Sequence, residues 1–187
     1  MRALSLIVLV GCASNDGSGS LSGQPPGGSF DVDDMISATV TTSDGTGDSS
    51  SVARIVMGST GGLCADAGAA IDRKGEHFIV LELSDVTGAM RTAPTTPGTY
   101  TIYPNTGSEP AKSASFTIGA LDNTCQSVDA DAGSGQSGSV TLTAVAGGAY
   151  TGSFDVTLNT GDHVTGSFAP AACPQLATAT SGERTCE

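Results

Sequence analysis

Apolar and polar residues alternate with a period of two through three consecutive stretches near the C-terminal end of this chain. That pattern constrains the fold more than any other feature of the sequence. In 139–144, Val140, Leu142 and Ala144 alternate with Ser139, Thr141 and Thr143. In 150–159, Tyr150, Phe154, Val156 and Leu158 alternate with Thr151, Ser153, Asp155 and Thr157. In 163–169, Val164 and Phe168 alternate with His163, Thr165 and Ser167. A strand turns successive side chains to opposite faces, so each stretch reads as an antiparallel strand with one buried side. Gly147-Gly148 and Thr160-Gly161-Asp162 supply the turns. Residues directly opposite in an antiparallel pair share a face. A two-residue turn at 160–161 would set apolar Leu158 against His163. A three-residue turn at 160–162 sets Leu158 against Val164 and Phe154 against Phe168, and is the expectation. The tetrapeptide Thr-Gly-Ser-Phe occurs at 151–154 and at 165–168, which puts Gly152 and Gly166 on the inward face. Inward glycine marks a bend or a close backbone approach, so the sheet is expected to curve.

Weaker strand signals lie upstream at 36–42, 52–57, 99–103 and 113–121, with Pro97-Gly98 as a turn before the third. The run 78–83 is apolar on both faces except for Glu82, which predicts a central strand. Residues 63–71 are the one plausible short helix, weakened by Gly68 and by the preceding Gly61 and Gly62. The expected fold is all-β: a single antiparallel β-barrel or strongly coiled β-sandwich of about eight strands. It occupies residues 30–187, one domain's length. With no Trp and 4% aromatic residues, its core rests on Val, Ile, Leu and a few Phe and Tyr.

The N-terminus carries a lone Arg2, the apolar stretch 3–10 and then Leu9-Val10-Gly11-Cys12. A short cationic start, an apolar run and a small residue before the cut are the marks of an export signal. The run is far too short to span a bilayer, which takes ~20 apolar residues. With a cysteine directly after the cut, the segment resembles a bacterial lipoprotein signal and lipobox. The resemblance implies removal of residues 1–11, with Cys12 as the lipid attachment site bearing diacylglycerol and palmitate. Ala13, rather than Asp, after that cysteine implies the outer membrane of the cell envelope. Residues 12–29 are dominated by Gly, Ser and other polar residues with Pro25-Pro26, and read as a flexible tether. The stretch 137–173, with Gly152-Ser153-Phe154 and Gly166-Ser167-Phe168 before Cys173, resembles C-terminal repeats of uncharacterised secreted bacterial lipoproteins. That resemblance carries no activity.

Cys64, Cys125, Cys173 and Cys186 form an even set in an exported chain and read as two disulfides. Three pairings are possible. The favoured one joins Cys173 to Cys186 across a short C-terminal loop, leaving Cys64 with Cys125. No CxxC pair exists and the expected compartment is oxidising, so a metal reading of these cysteines is weak. The formal net charge of −12 repels nucleic acid and anionic headgroups, so nucleic acid is excluded as a partner.

No GxSxG elbow, HExxH, P-loop or dinucleotide-binding glycine motif occurs, and His77 and His163 are the only histidines. His163 falls on an outward strand position, and His77 follows the polar turn Arg73-Lys74-Gly75-Glu76. Both read as surface residues, and no catalytic residue is assigned. Asp129-Ala130-Asp131-Ala132-Gly133 spaces carboxylates as a calcium loop does, but the fifth position is Gly133 and no Glu follows. Asp31, Asp33 and Asp34 form a second acidic cluster, Asp44 and Asp48 a third. All three read as solvated loops, and neither metal nor cofactor is expected. The sequence therefore points to a lipid-anchored, non-catalytic envelope module, structural or binding, with an envelope protein or a glycan as partner. The alternative is a lipocalin-like carrier holding a small apolar ligand inside a barrel.

Overall fold

The computed structural model describes residues 17–43, 49–179 and 183–187. Residues 1–11, Cys12, Asp44 and Asp48 lie outside the described residues. The strands are β1 (Ser18–Gly23), β2 (Asp34–Ser43), β3 (Ser49–Gly58), β4 (Ile71–Asp72), β5 (His77–Thr87), β6 (Met90–Thr92) and β7 (Gly98–Ile102). They continue as β8 (Lys112–Ala120), β9 (Gly133–Ala146), β10 (Ala149–Leu158), β11 (His163–Ala169), β12 (Ala171–Ala172) and β13 (Thr185–Cys186). Two short α-helices, α1 (Leu63–Ala69) and α2 (Pro174–Thr178), and a single 3-10 turn at Asp129–Asp131 complete the elements among the described residues. The fold is all-β, as the alternation requires.

Ten strands follow one another in a single sheet in the order β1-β11-β10-β9-β7-β8-β5-β3-β2-β12, with β6 added beside β5. The sheet curls into a half-barrel that stays open, with more than the eight strands expected. It is mostly antiparallel, but β7 pairs with β8 and β12 with β2 in parallel. The curl brings β10 back over β2: the Ser37 hydroxyl donates to the Gly148 carbonyl at 2.9 Å, and Thr39 Oγ1 lies 2.6 Å from the Tyr150 hydroxyl.

The β9–β10 turn is the expected two-residue loop, with Gly147 and Gly148 at φ 57° and 90°. The β10–β11 turn has three residues but sits one position earlier than expected, over 159–161, and the Leu158 N–H donates to Asp162 O at 2.8 Å. The register shifts by two residues, so every side chain keeps its face while its partner changes. Phe154 lies opposite Gly166, and Phe168 opposite Gly152. Each ring then covers a residue without a Cβ, where the expected pairing would have stacked two rings. A bulge opposite Thr151 and Gly152 leaves Ala144 exposed and half-buries Val145, reversing the alternation read from sequence there.

The concave face holds one continuous core. Met35, Ala53, Ile55 and Met57 come from β2 and β3, and Ile79, Leu81 and Leu83 from β5. Tyr100, Phe116, Val140, Phe154, Val156, Val164 and Phe168 complete its other side. Phe116 and Phe154 meet with ring centroids 5.3 Å apart. Part of the segment read as a flexible tether belongs to this body. Ser18–Gly23 pairs along β11, and Leu21, Phe30 and Val32 pack on the core. Strand addition runs on backbone hydrogen bonds, so a Ser/Gly segment joins an available edge without needing apolar side chains.

A second, smaller apolar cluster lies on the convex face, where Ile36, Ala38, Leu63, Cys173 and Leu176 are buried against Val56, Cys64, Ala67 and Ala177. Here α1 and α2 cross the outer side of β2 and β3. The cysteines form two disulfides, but not in the favoured pairing. Cys64 bonds Cys173, and Cys125 bonds Cys186, with Cα–Cα distances of 5.6 and 5.7 Å. Packing of α1 on α2 brings Cys64 to Cys173. The chain then runs on to β13, which pairs in parallel with β4 beside the Cys125 turn and so carries Cys186 away from Cys173.

Candidate functional site

Outward positions of a sheet with one buried side are normally polar. On β2, β3 and β5 they include Ile36, Val40, Val56, Phe78 and Val80, and these floor a cleft of about 820 Å³ on the convex face. Its walls come from α1 through Leu63 and Ala67, from Ile71 of β4, from Leu121, and from α2 through Leu176 and Ala177. The Cys64–Cys173 bridge ties the two helical walls together, and Cys125–Cys186 ties down the tail that carries Arg184. The size and apolar lining suit a small molecule.

Charged groups ring this floor, and most are paired. Arg54 meets Glu82 at 2.6 Å, Arg184 Nε meets Asp72 at 2.6 Å, and Arg73 makes two bonds of 2.6 and 2.8 Å to Asp66. Glu76 stands apart. It is 8% exposed and closes the 73–76 turn, and its Oε1 accepts a 3.0 Å hydrogen bond from Thr60. Gly58 makes room for it, since a Cβ there would lie 2.6 Å from Oε1. Oε2 has no hydrogen-bond partner among the described residues. Glu76 lines the cleft, and its Oε2 is not among the fully enclosed polar atoms, all of which are partnered among the described residues. Burial holds the Glu76 carboxyl above its ordinary value, and Asp66 and Asp72 push the same way against the Thr60 hydrogen bond.

The residues singled out from sequence are scattered. Cys64, Cys173, Cys125 and Cys186 frame the cleft, whereas Cys12 lies outside the described residues. Asp34 is 6% exposed and lies on the convex face, covered by the start of α1 rather than by solvent. Its Oδ2 accepts the N–H groups of Gly62 and Leu63 at 3.0 and 2.9 Å, and so holds the start of α1. Asp31, Asp33 and Asp129 are exposed, and Asp131 is half-buried. No group of three or more His, Cys, Asp or Glu side chains among the described residues could hold a metal. His163 Nε2 lies 2.8 Å from Asp155 Oδ1 on the outer face, and the His77 ring stacks on Phe30 at 5.3 Å. Neither lines the cleft.

Sequence reasoning missed Glu76, which it placed in a solvated turn, and it looked for a cavity inside the curl. The described interior is instead occupied by Tyr100, Tyr150, Phe116, Phe168 and the aliphatic core. The available signal was Phe78 and Val80, apolar on the side that alternation assigns to water. No helix among the described residues is long and apolar enough to cross a membrane. No protein-family model matches this chain, and neither a curated protein nor a solved structure registers as similar to it.

Proposed function

We propose that this chain is a lipid-anchored, non-catalytic binding module of the cell envelope, held at the outer membrane through Cys12, with the convex-face cleft as its ligand site. The observation that carries the binding role is the cleft: an apolar floor on a broad sheet, between walls fixed by two disulfides. The same disulfides support an oxidising compartment. The carrier alternative moves with the cavity, from the inside of a barrel to this outer face. Catalysis is left out because the other lining carboxylates, Asp66, Asp72 and Glu82, are tied up in ion pairs with arginines, and neither histidine is in the lining.

Native and denaturing mass spectrometry of protein extracted from its own membranes tests the reading. The denatured mass should show the cut before Cys12, its acyl groups and two disulfides. The native mass should include a retained small molecule that Val80→Glu abolishes. Cys12→Ser should release the protein from the membrane fraction. Membrane association of that variant that resists high salt would remove the anchor. Hydrolytic turnover lost in His77→Ala or His163→Ala would overturn the non-catalytic reading.

A further inference from the structure

We propose that the cleft takes a small amphiphile with an apolar body and a single protonated amine, and that the amine seats against Glu76 Oε2. The proposal rests on the binding-module reading and narrows it to a ligand class. Ile36, Val56, Phe78, Val80 and Leu176 give the body an apolar surface, and removing it from water supplies most of the driving force. Charge sets the head group. The lining carries Asp66, Asp72, Glu76 and Glu82 against Arg54 and Arg184. Both arginines are held by Glu82 and Asp72, and Asp66 is held by Arg73. Glu76, which lines the cleft, has one oxygen bonded to Thr60 and the other without a hydrogen-bond partner among the described residues.

A buried carboxylate is stabilised when a cation with hydrogen-bond donors reaches it, and such charge-assisted bonds are about twice as strong as neutral ones. An amine supplies both the charge and the donors. A hydroxyl supplies only a donor, and a carboxylate head would be repelled. The carboxylate is held through its other oxygen: Gly58 leaves room for Oε1 and the Thr60 hydroxyl donates to it, which leaves Oε2 for a ligand.

The test titrates decylamine, decanol and decanoate at pH 7 into the full chain carrying Cys12→Ser, by calorimetry, so that no acyl group or detergent competes. Decylamine should bind about 10-fold or more tightly than decanol, and decanoate most weakly. Glu76→Gln keeps the shape and the Thr60 hydrogen bond, and should erase the amine preference while decanol binding stays. Equal binding of decylamine and decanol to the unsubstituted cleft would overturn this proposal and leave the binding module standing, without recourse to any variant. An amine preference that persists in Glu76→Gln would remove Glu76 from the site. Binding of none of the three would overturn both the proposal and the cleft as ligand site.

Discussion

The Cys64–Cys173 bridge should carry a large share of this domain's stability. A disulfide acts mainly by shortening loops in the unfolded chain. The two residues are 109 apart in sequence, and the chain-entropy relation gives about 4.8 kcal/mol at 25 °C for a loop of that length. The second bridge lowers the figure slightly. With Cys125 bonded to Cys186, the shorter route from Cys64 to Cys173 crosses that bond and covers about 75 residues, worth about 4.5 kcal/mol. Replacing both cysteines by alanine also thins the outer apolar cluster, where Cys173 is 1% exposed. The Cys64→Ala/Cys173→Ala double variant should therefore lose about 4–5 kcal/mol, against a typical total of about 5–15 kcal/mol. The double variant is the right perturbation because a single substitution leaves a thiol free to attack the other bridge. Urea unfolding followed by circular dichroism, extrapolated linearly to water, reads the loss. Hydrogen exchange should locate it first in Leu63–Ala69 and Pro174–Thr178, the two helices the bridge joins. A loss under about 1 kcal/mol, or a peptide map joining Cys173 to Cys186, would refute the reasoning.

Three further outcomes follow from particular contacts. Gly166→Ala places a Cβ into the Ser20 carbonyl and the Phe154 ring, so it should cost about 2–3 kcal/mol and release β1, seen as faster amide exchange over Ser18–Gly23. Unchanged exchange there would reject the Phe-over-Gly register. Glu76→Gln should leave stability nearly unchanged at pH 4 and raise it at pH 7. The folded carboxyl holds its proton above the ordinary value of 4.5, so the stability this group contributes is present below that value and lost as pH rises through the folded one. A variant less stable than the parent at pH 7, by thermal melts at both pH values, would show that the carboxylate form is the stabilised one. Asp34→Ala strips the acceptor from the N–H groups of Met35, Gly62 and Leu63 and should cost about 3 kcal/mol by urea unfolding; a change within about 0.5 kcal/mol would mean that water replaces it.

Much of the sheet was legible because alternation is a local signal. Tyr150 to Leu158 and the 78–83 run are strands where the pattern put them, and 63–69 is the short helix. The two-residue slip between β10 and β11 was not legible. Facing fixes parity alone, and both registers bury Phe154 and Phe168. The choice between them belongs to packing, and each ring settles over a glycine. The disulfide pairing was illegible for a related reason. Loop length favoured Cys173–Cys186, but α1 on α2 and β13 on β4 are contacts between segments more than a hundred residues apart. Composition misled at Ser18–Gly23, because an edge strand can be held by its backbone whatever its side chains.

The departures from alternation locate the cleft, which alternation alone does not. Val56, Phe78 and Val80 occupy positions that a sheet with one solvated side would give to Ser or Thr. On β9, β10 and β11 those positions are indeed Thr141, Ser153 and Ser167, in register across three strands. The contrast divides the convex face into a hydroxyl-covered half and an apolar half. The apolar half needs a cover. Two short helices, a disulfide-pinned tail and a buried carboxylate supply that cover incompletely, and the remaining space is the cleft. Covering alone would not require Glu76. An apolar residue over Gly58 would close the gap between α1 and β5 at no electrostatic cost, since burying a carboxylate is unfavourable unless something meets it. Its presence there is what the proposed ligand site accounts for and an outer layer of core does not.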